Sequence, residues 1–99
     1  MQITIKTNKS AVNLMRRSGY ALLGQDTNTG EISFIKRAGK NNYPRFHAFI
    51  KKDGEIITVN LHLDQKKPSY DGSHAHNAEY KGPLLSKEAG RIKKSSEIF

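Results

Sequence analysis

Polar and apolar residues alternate most regularly between positions 43 and 65, in the stretch YPRFHAFIKKDGEIITVNLHLDQ. A period of two residues is typical of a β-strand that buries one face. Asp53-Gly54 divides the stretch, and this dipeptide is a common two-residue turn between antiparallel strands. The pattern therefore predicts a β-hairpin with one apolar face, which is formed by Phe46, Ala48, Ile50, Ile57, Val59 and Leu61.

The other face of this hairpin carries polar side chains. With that turn, His47 is expected opposite Asn60, and Arg45 opposite His62. The two histidines are then diagonal neighbours, about 7–8 Å apart at Cα, and both can contact one small group. Asp64 follows two positions after His62, so it lies on the same face of the strand.

Weaker patterns on either side of the hairpin predict the remaining elements. Residues 2–7 alternate as a strand, and residues 10–18 predict a short helix between an N-capping serine and a terminating glycine. Two apolar runs in residues 20–38 flank the turn-forming sequence DTNTGE and predict a second hairpin. Residues 83–99 predict a C-terminal helix with an apolar stripe.

The order of elements is therefore β-α-β-β-β-β-α. Four consecutive strands joined by short turns favour an antiparallel meander, and the helices are expected to cover its apolar face. We expect a single α+β domain over residues 1–99, with a four- to five-stranded antiparallel sheet and helices packed on one face. The polar face of the hairpin is then the open side of the sheet.

Residues 65–83 have no regular pattern. They are rich in Lys, Pro, Ser, Gly, Asn and His, and long irregular segments of compact domains are usually functional or disordered. His74 and His76 lie here and, with His47 and His62, make up the four histidines of the chain. We predict a long functional or flexible loop.

The charge distribution predicts a polyanionic partner. The net charge is +8, and residues 1–50 hold eight basic groups against two acidic ones. Basic patches bind nucleic acids, and aromatic side chains among them can stack on unpaired bases. We expect a nucleic acid, RNA in particular, to bind at Arg16, Arg17, Lys36, Arg37, Lys40, Lys66, Lys67 and Tyr70, with Tyr43, Phe49 and Tyr80 as further aromatic candidates.

The polar hairpin face has the residue types that metal-independent RNA cleavage requires. A base must take the proton of the 2′-hydroxyl and an acid must protonate the leaving oxygen, and histidine can fill either role. Arg45 can meet the charge that grows on the phosphate, and Asp64 can orient His62 and hold its tautomer. His47, His62, Asp64 and Arg45 are therefore candidate catalytic residues, and no cofactor is expected.

Two other functions fit parts of the same sequence. His62 and Asp64 are spaced two residues apart, as are His74 and His76, and these four side chains can bind zinc or another transition metal. The other alternative is a non-catalytic module whose protein partner docks on the open sheet face. A P-loop, a dinucleotide-binding glycine pattern and an HExxH motif are all absent from the sequence, which argues against the chemistry of those motifs.

The absence of three sequence features indicates the cellular compartment of the protein. It has no cysteine and no stretch of the ~18 apolar residues that a transmembrane helix needs. Its first residues also lack the apolar core of a signal peptide. We therefore expect a cytoplasmic protein that does not associate with a membrane.

The sequence NLMRRSGYALLGQ, in residues 13–25, resembles the start of the small HicA-type toxins. The resemblance implies an αβββα fold similar to double-stranded-RNA-binding domains, and cleavage of RNA with a histidine. Those toxins carry Gly-Ser-His on the strands directly after the first helix, whereas residues 20–38 here contain no histidine and Gly72-Ser73-His74 comes later. No catalytic residue is therefore transferred, and the resemblance implies RNA as the partner.

Overall fold

The strands and helices follow the predicted order, with one short strand added before the last helix. The computed structural model describes residues 1–65, 78–79 and 82–98. The strands in these ranges are β1 (Gln2–Lys6), β2 (Ala21–Gln25), β3 (Ile32–Arg37), β4 (Arg45–Asp53), β5 (Ile56–Asp64) and β6 (Ala78–Glu79). The helices are α1 (Ala11–Arg17) and α2 (Pro83–Ile98), and neither is long and apolar enough to cross a membrane.

One antiparallel sheet contains all these strands. Its order is β1-β5-β4-β3-β2, and β6 pairs with the end of β5 beyond β1. Strands β2 to β5 form the expected meander, while β1 lies along the far side of β5, where Ile3 faces Val59. The predicted α+β domain is thus confirmed, and the polar hairpin, β4 and β5, lies at the centre of its sheet.

Part of the segment predicted as a loop has regular structure. Within residues 65–83, β6 pairs with β5 through Leu63 and Asp64, and α2 begins at Pro83. The rest of the predicted loop, residues 66–77 and 80–81, lies outside the described residues.

The turn between β4 and β5 lies one residue later than the sequence predicts. Asp53 pairs with Ile56, so the two-residue connection begins at Gly54. Gly54 has φ +62°, a left-handed conformation that glycine adopts without strain. Each residue of β4 therefore pairs two positions further along β5 than expected, which places His47 opposite His62. Both faces keep their residues, because a shift of two preserves the alternation.

Both helices pack on the apolar face of the sheet. The six residues predicted for the core face of the hairpin are all buried, with at most 3% exposure. Leu14 and Met15 of α1 and Leu85 and Ile92 of α2 are fully buried in the same core. The predicted N-cap of α1 is also confirmed, because Ser10 Oγ accepts a backbone hydrogen bond at 3.2 Å.

A buried polar network joins α2 to the residues that precede β2. The Glu88 carboxylate accepts hydrogen bonds from the Tyr20 hydroxyl at 2.6 Å and from the Arg91 guanidinium at 2.9 Å, and Arg91 also donates to the Ser18 carbonyl. Lys36 Nζ lies 3.6 Å from the same carboxylate. Burial favours a raised pKa for Glu88, but the hydrogen bonds from Arg91 and Tyr20 outweigh it and lower the pKa. The ionised Glu88 therefore holds Lys36 on the helix side of the sheet.

Candidate functional site

Four of the predicted site residues come together on the open face of the sheet. His47 lies directly opposite His62, and Arg45 lies directly opposite Asp64. Residues two apart on a strand share a face, so the four side chains form one group, here called the histidine cluster. These side chains are only 12–21% exposed, so the cluster is sheltered from water although it lies on the face opposite the helices.

The carboxylate of Asp64 holds the cluster together. Its Oδ2 lies 3.3 Å from Nδ1 of His47 and 3.5 Å from Nε of Arg45. Its Oδ1 lies 3.1 Å from Nε2 of His62. Each carboxylate oxygen thus contacts one imidazole, whereas the sequence predicted a contact with His62 alone.

The ionised state of Asp64 determines the tautomer of His47. Burial favours a raised pKa for Asp64, but the hydrogen bonds from His47 and His62 outweigh it and hold the pKa well below its usual range. An ionised carboxylate only accepts hydrogen bonds, so the proton of a neutral His47 lies on Nδ1. Nε2 then keeps its lone pair, and it is buried without a hydrogen-bond partner among the described residues. Nε2 of His47 is therefore the atom of this ring that can accept a proton.

Aromatic contacts fix the orientation of the two imidazoles. The His47 ring stacks on Phe49, with centroids 4.3 Å apart and planes 26° apart. Phe49 also stacks on His62 at 5.5 Å, and the two imidazole centroids are 4.8 Å apart. Phe49 lies on the polar face of the hairpin, and it packs against both histidine rings.

The predicted phosphate-binding residues divide between the two sides of the sheet. Arg37 ends β3 and Lys40 follows in the connection to β4, so both lie at the end of the sheet where Arg45 and Asp64 pair. This end is here called the basic end. Lys36 lies on the helix side of the sheet, where it pairs with Glu88. Arg16 and Arg17 lie on the same side and are exposed in the last turn of α1. The other predicted binding residues, Lys66, Lys67 and Tyr70, lie outside the described residues.

The histidine cluster also offers donors for a metal ion. One donor atom each from His47, His62 and Asp64 lie within 4.8 Å of one another, and these are donor types that zinc accepts. Arg45 argues against a divalent ion, because its Nε lies 3.5 Å from Asp64 and its charge would repel a second cation. The two imidazoles and the carboxylate are groups that can bind a metal ion, but the positive charge of Arg45 beside them favours a cluster without one. The other predicted ligands, His74 and His76, lie outside the described residues.

Sequence reasoning missed the pairing of Arg45 with Asp64. The signal lay in the alternative turn: if Gly54 is its first residue, alternation brings these two side chains opposite each other. Asp64 then has a permanent cation beside it as well as two imidazoles. The aspartate is therefore the centre of the cluster rather than an accessory of one histidine.

Comparisons with known proteins leave this geometry as the guide to function. No protein-family model and no curated protein matches the chain. The resemblance of residues 13–25 to HicA-type toxins stays a prediction.

Proposed function

We propose that this protein binds RNA and cleaves it without a metal ion, with His47 as the general base. The observation that carries the proposal is the contact between His47 Nδ1 and Asp64, which leaves the lone pair of Nε2 to take a proton. A carboxylate that holds an imidazole, which in turn takes the proton of a hydroxyl nucleophile, is the arrangement of many hydrolases. The excess of basic groups in residues 1–50 favours a phosphate-rich partner.

The reaction begins at the 2′-hydroxyl next to the scissile phosphate. Nε2 of His47 is buried among packed rings in the free protein, so RNA binding must first move these side chains aside. Nε2 then takes the hydroxyl proton while the 2′-oxygen attacks phosphorus, and the bond from phosphorus to the 5′-oxygen breaks. His62, which the same carboxylate positions, is assigned as the acid that protonates the leaving 5′-oxygen. The products are a 2′,3′-cyclic phosphate and a free 5′-hydroxyl.

The cations of the basic end support both binding and catalysis in this proposal. Arg45 belongs to the histidine cluster and lies at the basic end, so its guanidinium can contact the phosphate whose negative charge grows in the transition state. Arg37 and Lys40 lie at the same end and can contact flanking phosphates. We also propose that the protein is cytoplasmic, as its sequence predicts.

A cleavage assay with two matched oligonucleotides tests the proposal. One is a labelled single-stranded RNA, and the other has 2′-deoxynucleotides at the cleaved positions; both are incubated with EDTA. We expect cleavage of the first alone, with 2′,3′-cyclic phosphate ends. His47→Ala should abolish this cleavage, and Asn60→Ala, at an exposed position of the same face, should retain it. Absence of RNA binding at low salt, or cleavage of the deoxy substrate, would overturn the proposal.

A transition-metal site is the second candidate, favoured by the three donor atoms within 4.8 Å. Elemental analysis of protein purified without a polyhistidine tag separates the two functions. Stoichiometric Zn, Ni, Cu, Mn or Fe that is lost in Asp64→Asn would replace the metal-free mechanism. Cleavage that persists in EDTA, by protein free of these metals, would remove the metal candidate.

A further inference from the structure

An open hollow of about 710 Å³ lies beside the histidine cluster, at the basic end of the sheet. Its lining includes Ala21 and Ile35, which lie opposite each other on β2 and β3. Tyr43, Arg37 and Arg45 also line it. Pockets that bind small ligands measure about 300–1,000 Å³, so the hollow is large enough for one nucleotide.

The hollow borders the residues to which we assign catalysis. Ile35, which lines the hollow, is the direct partner of His47 on the neighbouring strand. Arg45 belongs to both places, because its Nε contacts Asp64 and its guanidinium carbon lies 4.7 Å from the centroid of the Tyr43 ring. The backbone of Ile35 is one strand spacing, about 5 Å, from the backbone that carries His47, so the hollow borders the histidine cluster.

The lining matches the chemistry of a nucleotide. The faces of a base are planar and apolar, so a base can pack on Ile35 and against the Tyr43 ring, and such stacking suits any base. The guanidinium groups of Arg37 and Arg45 suit the two-oxygen geometry of a phosphate. Lys36 also borders the hollow, but its ammonium is held by Glu88 on the helix side of the sheet at 3.6 Å. Arg45 contacts Asp64 through Nε at 3.5 Å, and the other two nitrogens of its guanidinium can still meet a phosphate. We therefore assign the phosphate contacts to the two arginines.

We propose that the hollow binds one unpaired nucleotide of an RNA strand, with the base inside and its phosphate towards Arg37 and Arg45. This inference rests on the proposed function and adds the substrate class, which is single-stranded RNA. In a duplex the bases are stacked and paired, and a protein reaches mainly the phosphates, the 2′-hydroxyls and the shallow groove. A base can enter a hollow only when it is unpaired. When the hollow holds such a base, the 2′-hydroxyl of the neighbouring nucleotide is brought to His47.

Binding of three uncleavable RNAs tests the inference. All carry 2′-fluoro groups in place of the hydroxyls. The first is a short single strand, and the third is the corresponding duplex. The second is a set of single strands of the same sequence, each with one abasic nucleotide at a different position. Fluorescence anisotropy at low salt gives the three affinities. We expect one abasic position to weaken binding roughly 5- to 150-fold, which is the contribution of one stacked base. The duplex should also bind more weakly than the intact single strand.

Two pairs of variants locate the effect in the hollow. Ala21→Gln occupies the hollow without changing the charge, and Thr4→Gln places the same side chain at the opposite edge of the open face. We expect only the first to weaken binding of the single strand. Tyr43→Ala should also weaken binding, whereas Tyr43→Phe, which keeps the ring, should retain it.

The outcomes separate this inference from the proposed function. Equal affinity for intact and abasic strands, or wild-type binding by Ala21→Gln, would overturn the nucleotide site. Cleavage that depends on the 2′-hydroxyl would leave the proposed function standing in that case. A wild-type protein that neither binds nor cleaves RNA would overturn both.

Discussion

His47 and Asp64 meet diagonally across β4 and β5, with 3.3 Å between Nδ1 and Oδ2. The direct partner of His47 is His62, which approaches the other oxygen of the same carboxylate at 3.1 Å. One aspartate therefore positions two imidazoles. Removing the carboxylate should affect both histidines at once, whereas removing one imidazole leaves the other imidazole in contact with Asp64.

Asp64→Asn should slow cleavage strongly and leave RNA binding nearly unchanged. Asparagine has nearly the same shape, but its amide nitrogen cannot accept a hydrogen bond, so one histidine loses its partner and its fixed tautomer. A positioned general base contributes about 10²- to 10⁴-fold to the rate, and single-turnover cleavage should fall by a similar factor. Anisotropy measures binding separately, with Asn60→Ala as the control. Wild-type cleavage by Asp64→Asn would contradict the assigned role.

Asp64 should also make the stability of the domain depend on pH in the acid range. Because the pKa of this carboxyl is lower in the folded chain than its ordinary value, the ionised form stabilises the fold. This contribution is complete above about pH 5 and is lost as the pH falls through the folded-state pKa. Urea unfolding at neutral pH and at about pH 3 should show the difference between wild type and Asp64→Asn shrinking in acid. A difference that stays constant would mean that the ionised carboxylate is not the stabilising species.

Lys40→Ala should weaken RNA binding more than Lys51→Ala. Lys40 lies at the basic end, whereas Lys51 is exposed on the same open face near the far end of β4, so each change removes one positive charge. Each lost phosphate contact reduces the slope of log K against log salt by about 0.7 for a single strand. Titrations over a range of salt concentrations measure this slope. Equal slopes for the two variants would indicate that net charge governs binding, rather than the basic end.

The alternation along the hairpin predicted its two faces correctly, but the predicted register was wrong. Side-chain direction depends only on whether a position is odd or even, so a shift of two left the same six residues in the core. The register depended on which residue starts the turn, and an Asp-Gly dipeptide permits both choices. Because the turn starts at Gly54, Arg45 lies opposite Asp64 and not opposite His62, as was predicted. The contacts of Asp64 with Arg45 and His47 follow from this register.

Other features depend on contacts between distant positions, which local patterns do not specify. Glu88 lies within a helix where a charged residue is ordinary, and nothing nearby indicates that Tyr20, 68 positions earlier, donates to it. The same network holds Lys36, which the sequence assigned to nucleic-acid binding on charge alone. Pairing of β1 with β5 likewise depends on long-range packing. The sequence therefore predicted the elements and faces, while the partners of its charged groups required the fold.

Tyr20→Phe should destabilise the fold through Glu88. Tyr20 is 4% exposed, and its hydroxyl donates to the buried, ionised carboxylate at 2.6 Å. Hydrogen bonds to charged groups contribute about 1.5–3 kcal/mol, and the free energy of unfolding in urea should fall by about that amount. Tyr43→Phe removes the same hydroxyl from a half-buried ring outside this network and serves as the matched control. Equal stability of the two variants would mean that Arg91 and Lys36 satisfy Glu88 without Tyr20.

Leu61→Ala should destabilise the fold far more than Leu22→Ala. Leu61 is 1% exposed on the core face of β5, whereas Leu22 is 51% exposed on the edge strand β2. Loss of the buried methyl groups leaves a cavity and costs about 2–5 kcal/mol, while an exposed change stays within about 0.5 kcal/mol. Urea unfolding under one set of conditions measures both. Cleavage by the folded fraction should be unchanged in each variant, because the histidine cluster lies on the opposite face of the sheet. A folded but inactive Leu61→Ala would show instead that packing beneath β5 sets the positions of His62 and Asp64.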